Sequence, residues 1–584
     1  MCGICGIINK KKKLDVNILK KINNKLLMRG PDGEGFFLKK NFGLAMKRLS
    51  IIGVKNGNQP ISDKFGNQLF CNGEIYNYLE LKKKYFNSSK FKTNSDCEVI
   101  LHLYRKFGFE CLKFLDGMFS FCIWDKKKNQ FFIARDRYGM KPLYYYKTNE
   151  CFVFSSTSRS IVKSIDYNFK IDEDQIINYF LYGYIPSPHS IWKNLKKLKP
   201  YHYITLDRNF KISIKSYKFF DKKKIFSKIN FYDALQKNIN IHTRSDVKIG
   251  SMLSAGVDSS LITALSSKNK KLSKVFVAKF VKKKDDESEL AKYNSKKLNL
   301  ITNLVSITPK KIKNNFENII NSLDEPISDT AIISTFLLTK EAKKKKIKVL
   351  LSGAGGDELF GGYKRYEQIK YKYHINLTSR FFVSFFCQIV KKLPSNKILR
   401  FLFKIFNLGS SYVTSISGNN IDQIIKNFYN IKTVTGAIIK VNNKFNNIFP
   451  ANKFFLKTFD SNNYLVDNIL SLTDQISMSN SVEVRVPFLG FQFNKDIFYK
   501  KPVEKNFLKE IILNKFGLKL TNKKTGFNTP ISNLINDKFF KDKLKIKNKI
   551  LDRLLNIDNF ENFKNDQLLF STIILNEWLK KNEF

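Results

Sequence analysis

The chain has 584 residues, of which 43% are hydrophobic, so it can bury more than one core and is not a disordered chain. Its formal net charge of +53 would suit a nucleic-acid or anionic-membrane partner. The basic residues, however, are mostly lysines in short scattered runs such as Lys10–Lys13 and Lys343–Lys346, without interleaved aromatic residues. This pattern favours a compositional bias toward lysine, and we expect neither a nucleic acid nor a membrane as a partner.

The sequence predicts a cytoplasmic protein. It contains no run of about 20 apolar residues, the length that crosses a bilayer. Its amino terminus places apolar residues before charged ones, the reverse of a signal peptide. Eight cysteines are scattered over the first 387 residues. Cys2 and Cys5 form a CxxC pair without a second half, so a metal site is not indicated, and disulfides are not expected in a reducing compartment.

Residues 1–205 are predicted to form a first domain with an α+β layered fold. Short runs of β-branched and aromatic residues between turn residues predict antiparallel strands. The runs are GLAMKRLSII, NQLFCNGEIYN, MFSFCIWD, QFFIARD, PLYYY and CFVFSS. The segment Ser95–Phe107 has the apolar spacing of a helix. Strands with a few helices predict the layered fold.

Residues 206–584 are predicted to form a second domain, which begins with a charged, irregular connection over about 206–230. From there to the strand at 347–351, strands alternate with helices, which predicts a doubly wound parallel sheet. The strands are DVKIGSML, SKVFVAKF, ITNLVSI and IKVLL, and the helices lie in SSLITALSS, DESELAKYNSKKLNL, Lys310–Ser322 and Thr330–Lys345. Beyond about residue 365 the periodicity is mostly helical. Ligands of such sheets bind beyond the carboxyl ends of the strands.

Cys2, directly after the initiator methionine, is a candidate nucleophile. Removal of Met1 would leave Cys2 with both a thiol and a free α-amine. An α-amine with a pKa of about 8 can accept a proton near neutral pH. A thiolate is a strong nucleophile, and an adjacent base activates it. One residue could thus supply both nucleophile and base.

Further motifs follow Cys2 in a fixed order. They are RGPD at Arg29–Asp32, RLSI at Arg48–Ile51, NGEIYN at Asn72–Asn77, SDCE at Ser95–Glu98 and ARDRYGMKPLYY at Ala134–Tyr145. Their order and approximate spacing resemble the glutaminase domain of the asparagine-synthetase family. That domain is an αββα amino-terminal-nucleophile hydrolase, and the resemblance covers essentially the whole first domain.

The resemblance assigns a role to each candidate glutaminase residue. Arg48 would bind the α-carboxylate of L-glutamine, which suits a planar guanidinium group. Asp96 would hold the substrate ammonium, with Glu74 nearby. Asn72 and the backbone N–H of Gly73 would form the oxyanion hole.

The strand DVKIGSML runs into a loop that predicts a phosphate site. The candidate ATP-binding residues there are Leu253, Ser254, Gly256, Asp258, Ser259 and Ser260. Small residues let the backbone close around phosphate oxygens, and the following helix offers free N–H groups. Asp258 does not favour bare phosphate, so it implies Mg²⁺. The Walker spacing is absent. The loop instead resembles the SGGxDSS loop of ATP pyrophosphatases, with Ala255 in place of the first glycine.

A second loop follows the strand IKVLL and would meet the first at one sheet edge. The family resemblance assigns Ser352 and Gly353 to nucleotide contact and Asp357 to Mg²⁺. It assigns Lys524, in NKKTGF, to neutralising the leaving phosphates. Two further segments match the family: DEPISDTA at Asp324–Ala331 and DQISMSNSVEVRVPFL at Asp474–Leu489.

The resemblance implies a glutamine-hydrolysing asparagine synthetase. Such an enzyme amidates L-aspartate through β-aspartyl-AMP, with ammonia from L-glutamine delivered through a sheltered passage, and releases AMP and pyrophosphate. ATP would be a substrate and Mg²⁺ a cofactor. Dimers are common in the family, so a homodimer can form.

Two departures from the family pattern leave the acceptor open. Many members carry an acidic residue at the position of Ala354, which has been linked to accepting a proton, and many read PFLD where this chain has Gly490. The same chemistry on another carboxylate, such as a sugar acid, is therefore the nearest alternative. A β-lactam-forming relative would have lost the glutaminase, whose residues are present here. A nucleic-acid-binding protein would need a stacking groove, and the sequence indicates none.

Overall fold

The computed structural model describes residues 2–86, 91–217, 228–282, 286–366, 388–389, 408–446, 453–490, 504–521, 528–545, 548–556 and 565–582. Among these residues, none of the helices combines the length and the apolar character needed to cross a membrane.

Two antiparallel sheets of six strands form the amino-terminal part, with strand orders β10-β8-β9-β1-β3-β2 and β12-β11-β7-β6-β5-β4. The strands are β1 (Cys2–Asn9), β2 (Gly33–Leu38), β3 (Phe42–Arg48), β4 (Ile61–Ser62), β5 (Gln68–Ile75), β6 (Gly117–Asp125), β7 (Gln130–Arg135), β8 (Tyr144–Lys147), β9 (Cys151–Ser155), β10 (Leu195–Lys197), β11 (His202–Leu206) and β12 (Ile212–Ser216). Alternate residues of β1 and β5, such as Ile4 and Phe70, are buried between the sheets.

Helices cover the outer faces of the two sheets. They are α1 (Val16–Asn24), α2 (Tyr78–Tyr85), α3 (Glu98–Phe107), α4 (Ser158–Val162) and α5 (Glu173–Tyr182). Asp15 caps α1 by accepting hydrogen bonds from Asn17 N–H and Ile18 N–H. The outward-facing residues of the strands pack on these helices, as Cys5 and Ile7 of β1 do with α1. The αββα fold is therefore confirmed.

Strand β12 lies beyond the predicted domain boundary at residue 205. It pairs with β11 from His202↔Ser216 to Leu206↔Ile212. The sheet thus continues into the segment that was predicted to be an irregular connection from residue 206.

A five-stranded parallel sheet, in the order β15-β14-β13-β16-β17, forms the second part. Its strands are β13 (Ile249–Met252), β14 (Leu272–Phe280), β15 (Ile301–Ile307), β16 (Val349–Leu351) and β17 (Glu483–Arg485). The accompanying helices are α6 (Lys228–His242), α7 (Val257–Ser266), α8 (Ser288–Lys297), α9 (Pro309–Ser322), α10 (Ala331–Lys344) and α11 (Gly356–Phe360). The predicted alternation is confirmed, but β17 lies in a region that was predicted to be mostly helical.

The remaining described helices confirm the helical carboxy-terminal part. They are α12 (Leu408–Ser417), α13 (Ile421–Asn427), α14 (Ile431–Asn446), α15 (Lys453–Asn462), α16 (Ser471–Ser479), α17 (Lys505–Phe516), α18 (Ser532–Ile535), α19 (Lys538–Leu544), α20 (Lys549–Leu554) and α21 (Asp566–Lys581). Strand β14 shows that both sheet faces are covered. Val275 and Val277 are buried in one hydrophobic cluster with α6, α7 and α17, whereas Phe276 is buried in another with α9, α10 and α16.

Candidate active sites

Cys2 begins the central strand β1 of its sheet and lies directly opposite Arg48 of β3. Its backbone N–H donates to Asn72 Oδ1 at 3.1 Å, a contact that joins the two sheets. The side chain is buried, and burial raises the pKa of the Cys2 thiol to about 11, although the amino-terminal charge opposes this effect. The thiol therefore needs a base to become nucleophilic at neutral pH.

Arg48 and Asn72 are both held by contacts within the first domain. The guanidinium of Arg48 donates to Asn58 Oδ1 at 2.9 Å and to the Gly53 carbonyl at 2.8 Å. The Nδ2 of Asn72 donates to Ser156 Oγ at 3.5 Å. The structure thus brings Cys2, Arg48 and Asn72 together, as the sequence predicted.

Gly73 follows Asn72 on β5 at a point with no room for a side chain. A Cβ at this position would lie 2.1 Å from the carbonyl oxygen of Met118 on the neighbouring strand. Only glycine allows β5 and β6 to pair so closely here.

Glu74, the next residue of β5, and Asp96, which follows in a later turn, are two buried carboxylates. Asp96 Oδ2 accepts a hydrogen bond from the Ile75 N–H at 2.6 Å. Burial raises the pKa of Asp96 to about 6, and burial together with the charge of Asp96 raises the pKa of Glu74 well above its ordinary value. A ligand cation between two such carboxylates would stabilise their charged forms, so the pair suits a substrate ammonium.

The first nucleotide loop follows β13, where Leu253 is buried and its N–H donates to the Phe276 carbonyl. Ser254 Oγ lies 2.9 Å from Ser259 Oγ and accepts from the Gly256 N–H at 3.1 Å. Ser260 Oγ donates to the Ser254 carbonyl at 3.3 Å. These bonds curl the loop around the start of α7, whose free N–H groups favour an anion.

The second loop, after β16, packs directly against the first. A Cβ on Gly353 would lie 2.6 Å from the nitrogen of Ser259, and one on Gly356 would lie 2.5 Å from Asp258 Oδ1. The Ser352 N–H donates to the carbonyl of Arg485 at 2.9 Å, which ties this loop to β17. The predicted meeting of two Ser-Gly loops at one sheet edge is therefore observed.

Lys505, at the start of α17, is a functional candidate that the sequence analysis missed. Its Nζ donates to Asp258 Oδ2 at 2.7 Å and also contacts Asp357 Oδ1. Burial lowers the pKa of Lys505, but the charges of Asp258 and Asp357 outweigh this effect and raise the value above its ordinary one. The predicted Lys524 lies outside the described residues. The sequence signal for Lys505 would have been a basic residue after the strands of the sheet. Because the sequence contains many such residues, this signal did not single out Lys505.

The carboxylates of Asp258 and Asp357 fit the predicted Mg²⁺. Both reach the same ammonium group, so both can reach one cation. The described residues contain no cluster of three or more His, Cys, Asp or Glu side chains that could hold a metal alone. Magnesium commonly binds one or two carboxylates together with substrate phosphates, which matches a site of this kind.

Glu358 is a second residue that the sequence analysis missed. It follows Asp357 on α11 and accepts a hydrogen bond from the Tyr363 hydroxyl at 2.6 Å. Burial and the neighbouring charge of Asp357 raise the pKa of Glu358 to about 7. Near Ala354, the chain thus has a buried acid that can take up and release a proton at neutral pH.

Buried ion pairs join the two halves of the molecule. Asp474 of α16 accepts from Arg29 at 2.7 and 3.2 Å and from Lys141 at 3.1 Å. Arg29 also donates to the carbonyl of Cys2 at 3.2 Å. Motifs more than 300 residues apart therefore meet beside the nucleophile.

Comparisons with known proteins match a different family to each half of the chain. Residues 1–218 match the family described as a glutamine amidotransferase domain, and residues 230–495 match the family described as asparagine synthase. The chain is 31% identical to "Asparagine synthetase [glutamine-hydrolyzing] 1" of Bacillus subtilis (strain 168), over 91% of this chain and 87% of that protein. It is 33% identical to "Putative asparagine synthetase [glutamine-hydrolyzing] 2" of Methanocaldococcus jannaschii, over 84% of this chain and 100% of that protein.

Among solved structures, a glutamine phosphoribosylpyrophosphate amidotransferase from Bacillus subtilis, complexed with ADP and GMP, overlaps with a TM-score of 0.30 and 14% identity. The overlap covers 60% of this chain and 82% of that chain. Because this TM-score is low, the description of the fold rests on the strands and helices given above.

Proposed function

The chain belongs to the family of glutamine-hydrolysing asparagine synthetases, and we propose that it amidates L-aspartate with ammonia released from L-glutamine. ATP is the third substrate, and AMP and pyrophosphate are products. The first domain acts as the glutaminase and the second as the synthetase. The residue roles below are part of the proposal, and the contacts of the two sites support them.

Cys2 is the nucleophile of the glutaminase reaction. Its Sγ attacks the side-chain amide carbon of glutamine while its α-amine, freed by removal of Met1, takes the thiol proton. The amine passes that proton to the leaving nitrogen, the C–N bond breaks, and ammonia leaves a γ-glutamyl thioester that water hydrolyses to glutamate. Asn72 and the Gly73 N–H stabilise the oxyanion, which is the charge that develops in this step.

Three side chains orient glutamine against Cys2. Arg48 binds the α-carboxylate through its guanidinium. Asp96 and Glu74 bind the α-ammonium, and the positive charge of the ligand lowers the energy of ionising both buried carboxylates.

The synthetase reaction takes place at the two loops beyond β13 and β16. A β-carboxylate oxygen of aspartate attacks the α-phosphorus of ATP, pyrophosphate leaves, and β-aspartyl-AMP forms. Ammonia then attacks the carbonyl carbon, AMP leaves, and one proton is released. Ser254 and Ser259 hold phosphate oxygens, Ser352 and Gly353 contact the nucleotide, and Lys505 neutralises charge on the leaving pyrophosphate.

Asp258 and Asp357 would hold Mg²⁺, which supplies positive charge to the phosphate oxygens when bound. Lys505 pairs with both carboxylates, so its positive charge lies beside their negative charges. Lys524 would neutralise the leaving phosphates together with Lys505.

A small cavity supports transfer of ammonia between the domains. It has room for one small molecule, about 10 Å³, and lies among Met140, Leu143 and Tyr144 of the first domain and Asp467, Ser471 and Gln475 of the second. Ammonia that stays inside such a space is shielded from bulk water, where it would be protonated and lose its nucleophilicity.

The proposal rests above all on one observation: Cys2, Arg48, Asn72 and Asp96 converge in a chain whose second domain builds a nucleotide loop. The test is the variant Cys2→Ala. It should abolish glutamine-dependent asparagine synthesis and keep synthesis from ammonia. Cys5→Ala is the matched control, because Cys5 is buried on the same strand but faces the opposite cluster.

Glutamine-dependent synthesis by Cys2→Ala would refute the role of the nucleophile. Pyrophosphate release with aspartate and without it, and then with a sugar acid, decides the acceptor. A cytoplasmic location and a homodimer are further parts of the proposal, and light scattering of the purified protein tests the second.

A further inference from the structure

Arg485 of β17 is fully buried and connects the two active sites. Its Nε donates to Glu483 Oε1 at 2.6 Å, and its Nη1 donates to the carbonyls of His242 and Arg244 at 2.8 and 2.6 Å. Its Nη2 lies 3.5 Å from Oε2 of Glu74, in the glutamine pocket. A synthetase residue therefore places a fixed positive charge against a carboxylate of the glutaminase.

The backbone of Arg485 belongs to the nucleotide site. Strand β17 pairs with β16, and Arg485 lies opposite Leu351. The Arg485 carbonyl accepts the hydrogen bond of the Ser352 N–H, in the loop assigned to the nucleotide. One residue thus bonds to the nucleotide loop through its main chain and to the glutamine pocket through its side chain.

Glu74 needs such a partner. Burial, Asp96 and Glu483 all raise the pKa of Glu74, whereas Arg485 and the amino-terminal charge lower it. The Tyr76 ring, next but one on the chain, lies 5.6 Å from the Arg485 guanidinium. These are the charged and titratable groups that face Glu74, and Arg485 is the side-chain cation among them.

We propose that Arg485 is a positioning residue of the glutamine pocket, through which the synthetase sheet holds Glu74 ready for the ammonium group of L-glutamine. The inference rests on the proposed function, since it assigns Glu74 to glutamine. It adds that the glutamine pocket is completed by the second domain.

The test compares Arg485→Met and Arg485→Lys in the full-length chain. KM and kcat for glutamine are measured by glutamate release, and ammonia-dependent asparagine synthesis is the internal reference. Arg485→Met should raise KM for glutamine at least about tenfold, the value of one charge-assisted contact, and should lower ammonia-dependent kcat by a smaller factor, because the main-chain bond to Ser352 remains. Arg485→Lys should restore part of the affinity, because one ammonium can pair with Glu74 but cannot make all the bonds of the guanidinium.

Lys197→Met is the matched control. Lys197 of β10 pairs with Glu325 of the second domain at 2.6 Å, and both side chains are buried, but neither contacts Glu74. This variant also removes a buried ion pair from the contact between the two domains, and it should leave KM for glutamine unchanged. If Arg485→Met is insoluble, Arg485→Lys alone decides, since its KM for glutamine should still exceed that of Lys197→Met.

An unchanged KM for glutamine in both Arg485 variants would overturn the proposal. So would an equal loss of glutamine-dependent and ammonia-dependent activity, which would mean a purely structural role. Failure of the wild type to make asparagine from either nitrogen donor would instead overturn the proposed function, so the two failures are distinguishable.

Discussion

Removing the carboxylate of Asp474 should destabilise the junction of the two domains. Asp474 is 4% exposed and pairs with two buried cations, Arg29 and Lys141. Burial alone would raise the pKa of Asp474, but these two charges outweigh it and hold the pKa below its ordinary value. Asp474→Ala would leave both cations buried without a partner.

The expected cost lies at the upper end of about 3–5 kcal/mol, because breaking a buried ion pair leaves an uncompensated charge and here two charges are affected. Asp474→Asn should cost less, since its amide oxygen still accepts one hydrogen bond. Because the folded pKa is depressed, the contribution of Asp474 is complete above about pH 3.9 and is lost as pH falls through the lower folded value. The difference in the free energy of unfolding between the wild type and Asp474→Ala should therefore be constant between about pH 6 and 8.

The assay is urea unfolding followed by the fluorescence of the three tryptophans. A two-domain chain need not unfold in one step, so the transition at the lowest urea concentration is compared. Glu150→Ala is the control, because the pair of Lys10 and Glu150 is 42% and 66% exposed and should contribute about 0–1 kcal/mol. If Asp474→Ala lost no more stability than Glu150→Ala, the reasoning about buried charge would be wrong.

Three further outcomes are expected. Protonation of Asp96, whose pKa is about 6, removes the charge that binds the substrate ammonium, so kcat/KM for glutamine should fall more steeply with falling pH below that value than above it; an unchanged slope down to pH 5 would contradict this. Lys505→Met should lower pyrophosphate release at least about tenfold with either nitrogen donor while sparing glutamate release, which a coupled assay of both products checks. Gly73→Ala places a Cβ 2.1 Å from the Met118 carbonyl oxygen, so glutaminase activity should be lost and ammonia-dependent synthesis kept; full glutaminase activity would exclude the close approach.

The elements that could be predicted are those whose signal is local. The run SKVFVAKF became β14, because its alternate residues pack on helices of opposite faces. The helix predicted over Ser95–Phe107 begins later, at Glu98, because the three residues before it form the turn that carries Asp96. The candidate glutamine-site residues could be named for a similar reason, since each lies in a short motif.

The parts that could not be predicted depend on contacts between distant segments. Lys505 meets Asp258 from 247 residues away, and Arg485 meets Glu74 across the two domains. Strand β17 has only three residues and pairs with β16 at the edge of the sheet. The alternating valines of SVEVRV are a strand signal, but it is short and lies within a mostly helical region. The residues around a single lysine in such a lysine-rich sequence likewise do not indicate which distant carboxylates it will contact.

The burial of Cys2 has a consequence for the chemical durability of the enzyme. Burial raises the pKa of the Cys2 thiol, so the neutral thiol is favoured until a base takes its proton. Peroxides and alkylating agents react with thiolates, so a buried neutral thiol reacts with them more slowly than an exposed thiolate would. A nucleophile held in this form between turnovers is therefore protected against chance oxidation and alkylation.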